Sequence, residues 1–209
     1  MSFFDGPRGA LHDRRWLAGA PAAGVALLPG LGQHPGHDHR VARALGAAGV
    51  ETWGLDTAGH GLSEGDPERP GSLPELAADA QALLTVVRAE RPTDAVIFVG
   101  HSLGAATAVT AVRAGLDCTG LIVIGTPSSV LGKDGSRGPA LPDDLAVLAL
   151  HGVDDRRAPV AAVRTWSARH PRMTLREYPD AGHDLLHEPV HRAVTADIVD
   201  WILRNEFPE

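Results

Sequence analysis

The chain has 209 residues, 44% hydrophobic and 22% charged, which are ordinary values for a globular protein with one sizeable core and too little length for two catalytic domains. Its formal net charge of -7, with Lys and Arg scattered along the chain, argues against nucleic acid or an anionic membrane surface as the main partner. The one cysteine, Cys118, has no partner for an intramolecular disulfide and reads as a small buried hydrophobe.

The opening stretch MSFFDGPRGALHDRRW lacks the unbroken apolar core of a secretory signal, and no apolar run approaches the roughly twenty residues of a membrane span. A soluble cytoplasmic protein is therefore expected, folded as a single domain over residues 1–209. Arg15 to Ala18 is predicted as an edge strand, Val25 to Leu28 as a buried strand, and Asp38 to Ala48 as a helix that aligns Val41, Ala44, Leu45 and Ala48. Val50 to Leu55 is the next strand. Ser72-Leu73-Pro74-Glu75 then has capping-box spacing, and Leu73, Leu76, Ala77, Ala80, Leu83, Leu84 and Val87 fall on one helical face behind it. Strands follow at Ala95 to Val99, Leu121 to Ile124, Ala146 to Leu150 and Thr174 to Tyr178. A helix around Val160 and Val163 (Pro159 to Arg169) precedes the last of them, and a final helix runs from Pro189 through Val190, Val194, Ile198, Trp201 and Ile202. Most of these strands are too continuously apolar to face water on either side. Helical crossovers between buried strands imply an α/β fold with a mostly parallel sheet covered on both faces.

Val96 to Gly104, VIFVGHSLG, passes from a buried strand through Gly100-His101-Ser102-Leu103-Gly104 into an alanine-rich segment. That is the pattern of a nucleophile elbow, in which a serine on a sharp strand-to-helix turn has its hydroxyl pushed clear of the backbone. Side chains two residues either side of the serine would collide there, so both positions call for glycine. Ser102 then lies at the carboxyl end of a strand, where such sheets bind ligands. A serine needs a base to take its proton and a third group to orient that base. Two later strand ends carry them: His151-Gly152-Val153-Asp154-Asp155-Arg156, and Asp180-Ala181-Gly182-His183-Asp184. The chain order Ser, Asp, His is that of the α/β-hydrolase scaffold.

With LPGLG at Leu28 to Gly32, DTAGHGLSEG at Asp56 to Gly65, HGVDDRRAP at His151 to Pro159 and AGHDLLHEP at Ala181 to Pro189, the chain resembles the monoacylglycerol lipase and lysophospholipase branch of the α/β-hydrolases from about Gly24 to Trp201. The resemblance implies Ser102 as nucleophile, His183 as general base and Asp155, three residues past the glycine of the HGxxD pattern, as the acid; the neighbouring Asp154 is the alternative. It implies an oxyanion hole from the amides of Leu103 and Leu31. The family usually has histidine where this chain has Pro29, but an amide donates whatever side chain it carries. Relatives insert a cap of several helices before the strand bearing the acid. Here only Ser128 to Asp144 is available, rich in Gly, Pro and charge, so a reduced or absent cap and a solvent-open site are expected.

His101 and His151 flank catalytic positions and read as structural. His60, in the glycine-rich turn from Asp56 to Gly65, reads as a hydrogen-bonding strut at the rim of the site. The histidines at 34, 37 and 39 and at 183, 187 and 191 do not read as metal ligands, because Pro189 interrupts the helical face and no HExxH pattern is present. Gly30, Gly32 and Gly36 lack the spacing of a dinucleotide fingerprint. The expected activity is cleavage of a small-molecule ester without cofactor. Thioester or other acyl-transfer or carbon-carbon chemistry on the same residues is the alternative, and a noncatalytic binding protein of the same fold is the remote one. Oligomeric state leaves no mark in the sequence.

Overall fold

A computed structural model describes residues 2–19, 21, 23–91, 95–132 and 140–205. Its strands are β1 (Ser2–Gly6), β2 (Gly9–Trp16), β3 (Ala23–Leu28), β4 (Val50–Asp56), β5 (Val96–His101), β6 (Gly120–Ile124), β7 (Ala146–Gly152) and β8 (Met173–Tyr178). Its helices are α1 (His39–Ala47), α2 (Leu73–Glu90), α3 (Leu103–Arg113), α4 (Ser128–Leu131), α5 (Val160–Ser167) and α6 (His191–Arg204). The strands form one sheet of eight in the order β1-β2-β4-β3-β5-β6-β7-β8. From β4 to β8 all pairings are parallel, and β1 and β2 add an antiparallel edge.

The apolar strands alternate strictly, yet both of their faces are buried. Ala26, Leu28, Trp53, Phe98, Leu121 and Val147 join one cluster with α2, α3 and α5, while Val25, Leu27, Ile97, Ile122 and Leu148 join another with α1 and α6. Burying a side chain of this size contributes about 2 kcal/mol relative to exposure, and the central strands carry most of the largest fully buried ones. Cys118 is half-buried against the first cluster, and burial pushes its thiol up to about 12. Helix α2 starts where the capping-box spacing places it: the Glu75 carboxylate accepts both the Ser72 amide and the Ser72 hydroxyl at 2.7 Å. Helix α3 lies close on the sheet because Ala105, Ala106, Ala108 and Ala111 fill its inner face without bulk.

The edge differs from expectation. The strand predicted at Arg15 to Ala18 begins earlier, at Gly9, and ends at Trp16, leaving Leu17 and Ala18 outside it, and β1 has no counterpart in the sequence reading. The physical reason is that this edge is tied by polar side chains. His12 and Asp13 are buried, with His12 Nδ1 2.9 Å from Asp56 Oδ2 and Asp13 accepting from Arg15 Nε at 2.7 Å. Apolar periodicity cannot reveal a strand held in that way. Between β6 and β7 the described residues contain only the four-residue α4, and residues 133–139 of the segment considered for a cap lie outside the described residues.

A Cβ on Gly104 would lie 1.9 Å from the backbone carbonyl oxygen of Leu28 in β3. Gly104→Ala is therefore expected to cost about 3 kcal/mol or more, because backbone in a sheet cannot yield as a side chain does. Chemical denaturation checks this, and a variant of unchanged midpoint would mean that α3 does not pack on β3 as described.

Candidate active site

Ser102 joins β5 to α3 with φ 51° and ψ -110°. A non-glycine residue held there costs about 1–3 kcal/mol and persists only where its surroundings enforce it. A Cβ on Gly100 would meet the Gly104 carbonyl oxygen at 2.4 Å, so the first glycine answers to the turn itself. The second, by its contact with Leu28, answers to the neighbouring strand. The Ser102 amide donates to the Ile124 carbonyl at 2.9 Å, which extends the β5–β6 ladder beneath it.

The three side chains singled out from the strand ends meet here. The Ser102 hydroxyl donates to His183 Nε2 at 2.8 Å, and His183 Nδ1 donates to Asp155 Oδ2 at 2.7 Å. Since a carboxylate only accepts, Nδ1 carries the proton and Nε2 offers its lone pair to the serine. The other oxygen of Asp155 accepts the amides of Arg157 and Ala158, each at 2.8 Å. Burial works to raise the Asp155 pKa, but the bond from His183 and the two amides outweigh it and hold the carboxyl below its ordinary value. Asp154 is exposed, and its backbone amide donates to the Ala181 carbonyl at 3.0 Å.

The loops after β7 and β8 are brought together by backbone. Val153 donates to the Tyr178 carbonyl at 3.0 Å, beside the bond from Asp154 to Ala181. Gly152 allows the approach, because a Cβ there would lie 2.0 Å from the Gly182 carbonyl oxygen. Glu188 then braces the histidine loop, accepting the Gly182 amide at 2.6 Å and the Asp184 amide at 2.9 Å, one on either side of His183. No role for Glu188 was legible in AGHDLLHEP, since an acidic residue near a proline reads first as a helix start.

His101 and His151 are buried supports. His101 Nε2 donates to the His183 carbonyl at 3.1 Å, and its Nδ1 lies 3.1 Å from Gln33 Oε1. His151 Nε2 donates to the Ala158 carbonyl at 2.6 Å. Burial lowers the pKa of both rings.

The loop after β3 has an ordered set of amides. Gly30 N donates to Gln33 Oε1 at 3.2 Å, Gly32 N to His60 Nε2 at 2.9 Å, and Gln33 N to the Gly30 carbonyl at 3.1 Å. Leu31 lies between these tied groups, and among the described residues its amide has no partner. The Leu31 side chain is 62% exposed. Leu103 is the first residue of α3, where an amide has no carbonyl within the helix to bind. A cleft of about 300 Å³ opens over Ser102, lined also by Leu31, Gln33, Arg157, His183 and Asp184. Beyond Leu31 a second, mainly apolar hollow of about 570 Å³ is lined by His60, Pro67 and Pro70.

At the rim, His187 links the histidine loop to the start of α1. Its Nδ1 donates to Asp184 at 2.8 Å and its Nε2 to the His37 carbonyl at 3.2 Å, with Asp38 Oδ1 at 3.7 Å. Burial opposes the charged ring, but Asp184, the His37 carbonyl and Asp38 outweigh it and raise the His187 pKa. Asp38 is buried, and among the described residues neither of its oxygens has a hydrogen-bond partner; burial pushes its carboxyl up to about 7. His34 and His37 stack with ring centroids 4.1 Å apart, and among the described residues no three His, Cys, Asp or Glu side chains converge as metal ligands. Among the described residues, no helix is long and apolar enough to cross a membrane.

The sheet order, the strained serine between a parallel strand and its helix, and the histidine and acid from later strand ends define an α/β-hydrolase. Residues 19–133, more than half of the chain, match the profile of the family described as serine aminopeptidase, S33, and the chain belongs to that family of hydrolases. It is 27% identical to a monoacylglycerol lipase of Mycolicibacterium smegmatis across 88% of this chain and 89% of that one. Among solved structures, it superposes on a thermostable carboxyl esterase from Bacillus coagulans with a TM-score of 0.82 at 14% identity, covering 97% of each chain. It superposes on a serine hydrolase without lid from Xanthomonas campestris with a TM-score of 0.75 at 24% identity, covering 99% of this chain and 95% of that one.

Asp38 gives a pH signature. Unfolded, its carboxyl ionises near the ordinary 3.8; folded, near 7, so the folded chain holds an extra proton between those values and loses stability as pH rises through that window. Asp38→Asn removes this loss, and the Tm of the variant relative to the parent is expected to climb from about pH 4 to about pH 7 and then level off. Parallel Tm–pH curves for the two proteins would contradict the assignment.

Proposed function

We propose that the protein is a single-domain serine hydrolase that cleaves carboxylic esters through an acyl-enzyme on Ser102, with His183 as base and Asp155 as orienting acid. The observation that carries this reading is the continuous hydrogen-bonded chain from Ser102 Oγ through His183 to Asp155, at 2.8 and 2.7 Å, opening into a cleft beside the Leu31 amide, which has no partner among the described residues. In the first step Ser102 Oγ bonds to the ester carbonyl carbon while its proton passes to His183 Nε2. The negative charge that develops on the carbonyl oxygen is received by the Leu31 and Leu103 amides, with the N-terminus of α3 behind the latter. Collapse breaks the bond to the alkoxy oxygen, which leaves as alcohol with the proton from Nε2. Water then attacks the acyl carbon as His183 takes its proton, and the acid departs as Ser102 recovers its hydrogen.

Substrates are small or protruding esters. The cleft is only about 300 Å³, and α4 is a single turn, so little in the described connection would enclose a long chain. The similarity to a hydrolase without lid supports the same view.

Ser102→Ala is expected to lower kcat/KM for p-nitrophenyl acetate by roughly 10⁴-fold or more with Tm retained, and Asp155→Asn by roughly 10⁴-fold. A fluorophosphonate probe should label the parent and not Ser102→Ala. Across p-nitrophenyl esters of rising chain length, turnover should be greatest for short acyl groups. Near-normal turnover by Ser102→Ala would end the reading, and a sharp optimum at long chains would refute the open site.

A further inference from the structure

Three neighbouring groups of the loop after β3 are fixed, and the means of fixing them are unequal. Gly30 and Gln33 are tied within the loop, by the Gln33 side chain and the Gly30 carbonyl. Gly32 is tied from outside, by His60 Nε2 at 2.9 Å. Gly32 has φ +74°, and a Cβ there would meet nothing within 4 Å, so no side-chain packing holds this point of the loop. The Gly32 N–H belongs to the central peptide of the turn closed by Gln33 N on the Gly30 carbonyl at 3.1 Å, so the tie from His60 fixes the middle of the turn that presents the Leu31 amide.

His60 is itself built into a rigid turn. Its Nδ1 lies 3.1 Å from the Ala58 carbonyl, its amide donates to the Thr57 carbonyl at 2.7 Å, and its carbonyl accepts the Ser63 amide at 3.1 Å. The turn is anchored in turn to the sheet: Asp56 Oδ2 accepts the Leu62 amide at 2.8 Å, and the Ser63 hydroxyl donates to the Asp56 carbonyl at 2.6 Å. Since a carbonyl only accepts, His60 Nδ1 carries the proton and Nε2 has a lone pair for the Gly32 N–H. One neutral tautomer satisfies both neighbours.

From this geometry we infer that His60 is a positioning residue for the oxyanion hole: by accepting the Gly32 amide it holds the loop after β3 so that the Leu31 N–H stays free and directed to the cleft over Ser102. The inference rests on the proposed ester hydrolysis at Ser102. It assigns His60 no contact with substrate. Its effect belongs to the transition state, because the oxyanion exists only there, so loss of the tie lowers kcat and leaves KM nearly alone.

The test compares the parent with His60→Leu, which removes the acceptor, and His60→Gln, whose amide oxygen keeps one near the Nε2 position. kcat and KM for p-nitrophenyl acetate, Ki for an aryl trifluoromethyl ketone, Tm and fluorophosphonate labelling are measured for each. His60→Leu is expected to lower kcat by about 10- to 100-fold with KM within about twofold, and to raise Ki by the same factor as kcat falls, a loss smaller than removal of a whole donor. His60→Gln is expected to recover most of both losses. Unchanged kcat and Ki in a folded His60→Leu, or a His60→Gln as impaired as a folded His60→Leu, would overturn the inference. If His60→Leu does not fold, His60→Asn replaces it, since its amide is too short to reach Gly32, and the same outcomes decide. A parent protein that resists fluorophosphonate would instead overturn the reading of Ser102, which separates the two failures.

Discussion

The structure depends on one close approach, that of Gly104 in α3 to the carbonyl oxygens of Leu28 and Pro29, which a Cβ would meet at 1.9 and 2.8 Å. Packing α3 this tightly leaves Ser102 no room for an ordinary turn and drives it to positive φ. The strain of about 1–3 kcal/mol is small beside the burial of the alanine face and the central strands, so the fold sustains it. The same approach has a second consequence. Leu28 and Pro29 lead directly into Gly30-Leu31-Gly32, so the contact that lifts the serine also brings the loop of Leu31 alongside it. Ser102 and the loop of Leu31 are thus positioned by one packing event.

The histidine and the acid arrive by a different route. Their loops are joined by backbone hydrogen bonds from Val153 and Asp154, made possible by Gly152, and Glu188 braces the turn on either side of His183. Side-chain charge is kept for the ends of this arrangement. Asp155 stays ionised because donated hydrogen bonds and the neighbouring His183 outweigh its burial, whereas Asp38 has no hydrogen bond among the described residues and burial raises its pKa to about 7. Asp38 is the more deeply buried of the two, and Asp155 has in addition the charge of His183 and donated hydrogen bonds to hold it ionised.

Much of this was legible in the sequence, and what was not has a common cause. The strands from Val25 to Leu150 announce themselves because burial on both faces demands mostly apolar residues, whereas β8 at the edge is only partly buried. The elbow announces itself because sterics leave only glycine at two positions. The edge hairpin of β1 and β2 is held by His12 and Arg15, which reach Asp56 and Glu90 far along the chain, and polar pairs at long range leave no period to read. Gln33, Glu188 and Asp38 escaped for the same reason: each acts on backbone or on a neighbour whose proximity only the fold creates. His60 was readable as a strut from its glycine-rich setting, but its partner, the Gly32 amide, was not. The residues of Ser128 to Asp144 remain the least informative, since seven of them, 133–139, lie outside the described residues.

The most direct measurement of the central claim is acid-quenched mass spectrometry of the protein during turnover of p-nitrophenyl acetate. The account predicts one acyl group per chain, located on the peptide that contains Ser102, absent from Ser102→Ala, and formed in a burst before steady hydrolysis. An acyl group carried by another residue, or turnover of the ester with no covalent adduct at any quench time, would contradict it.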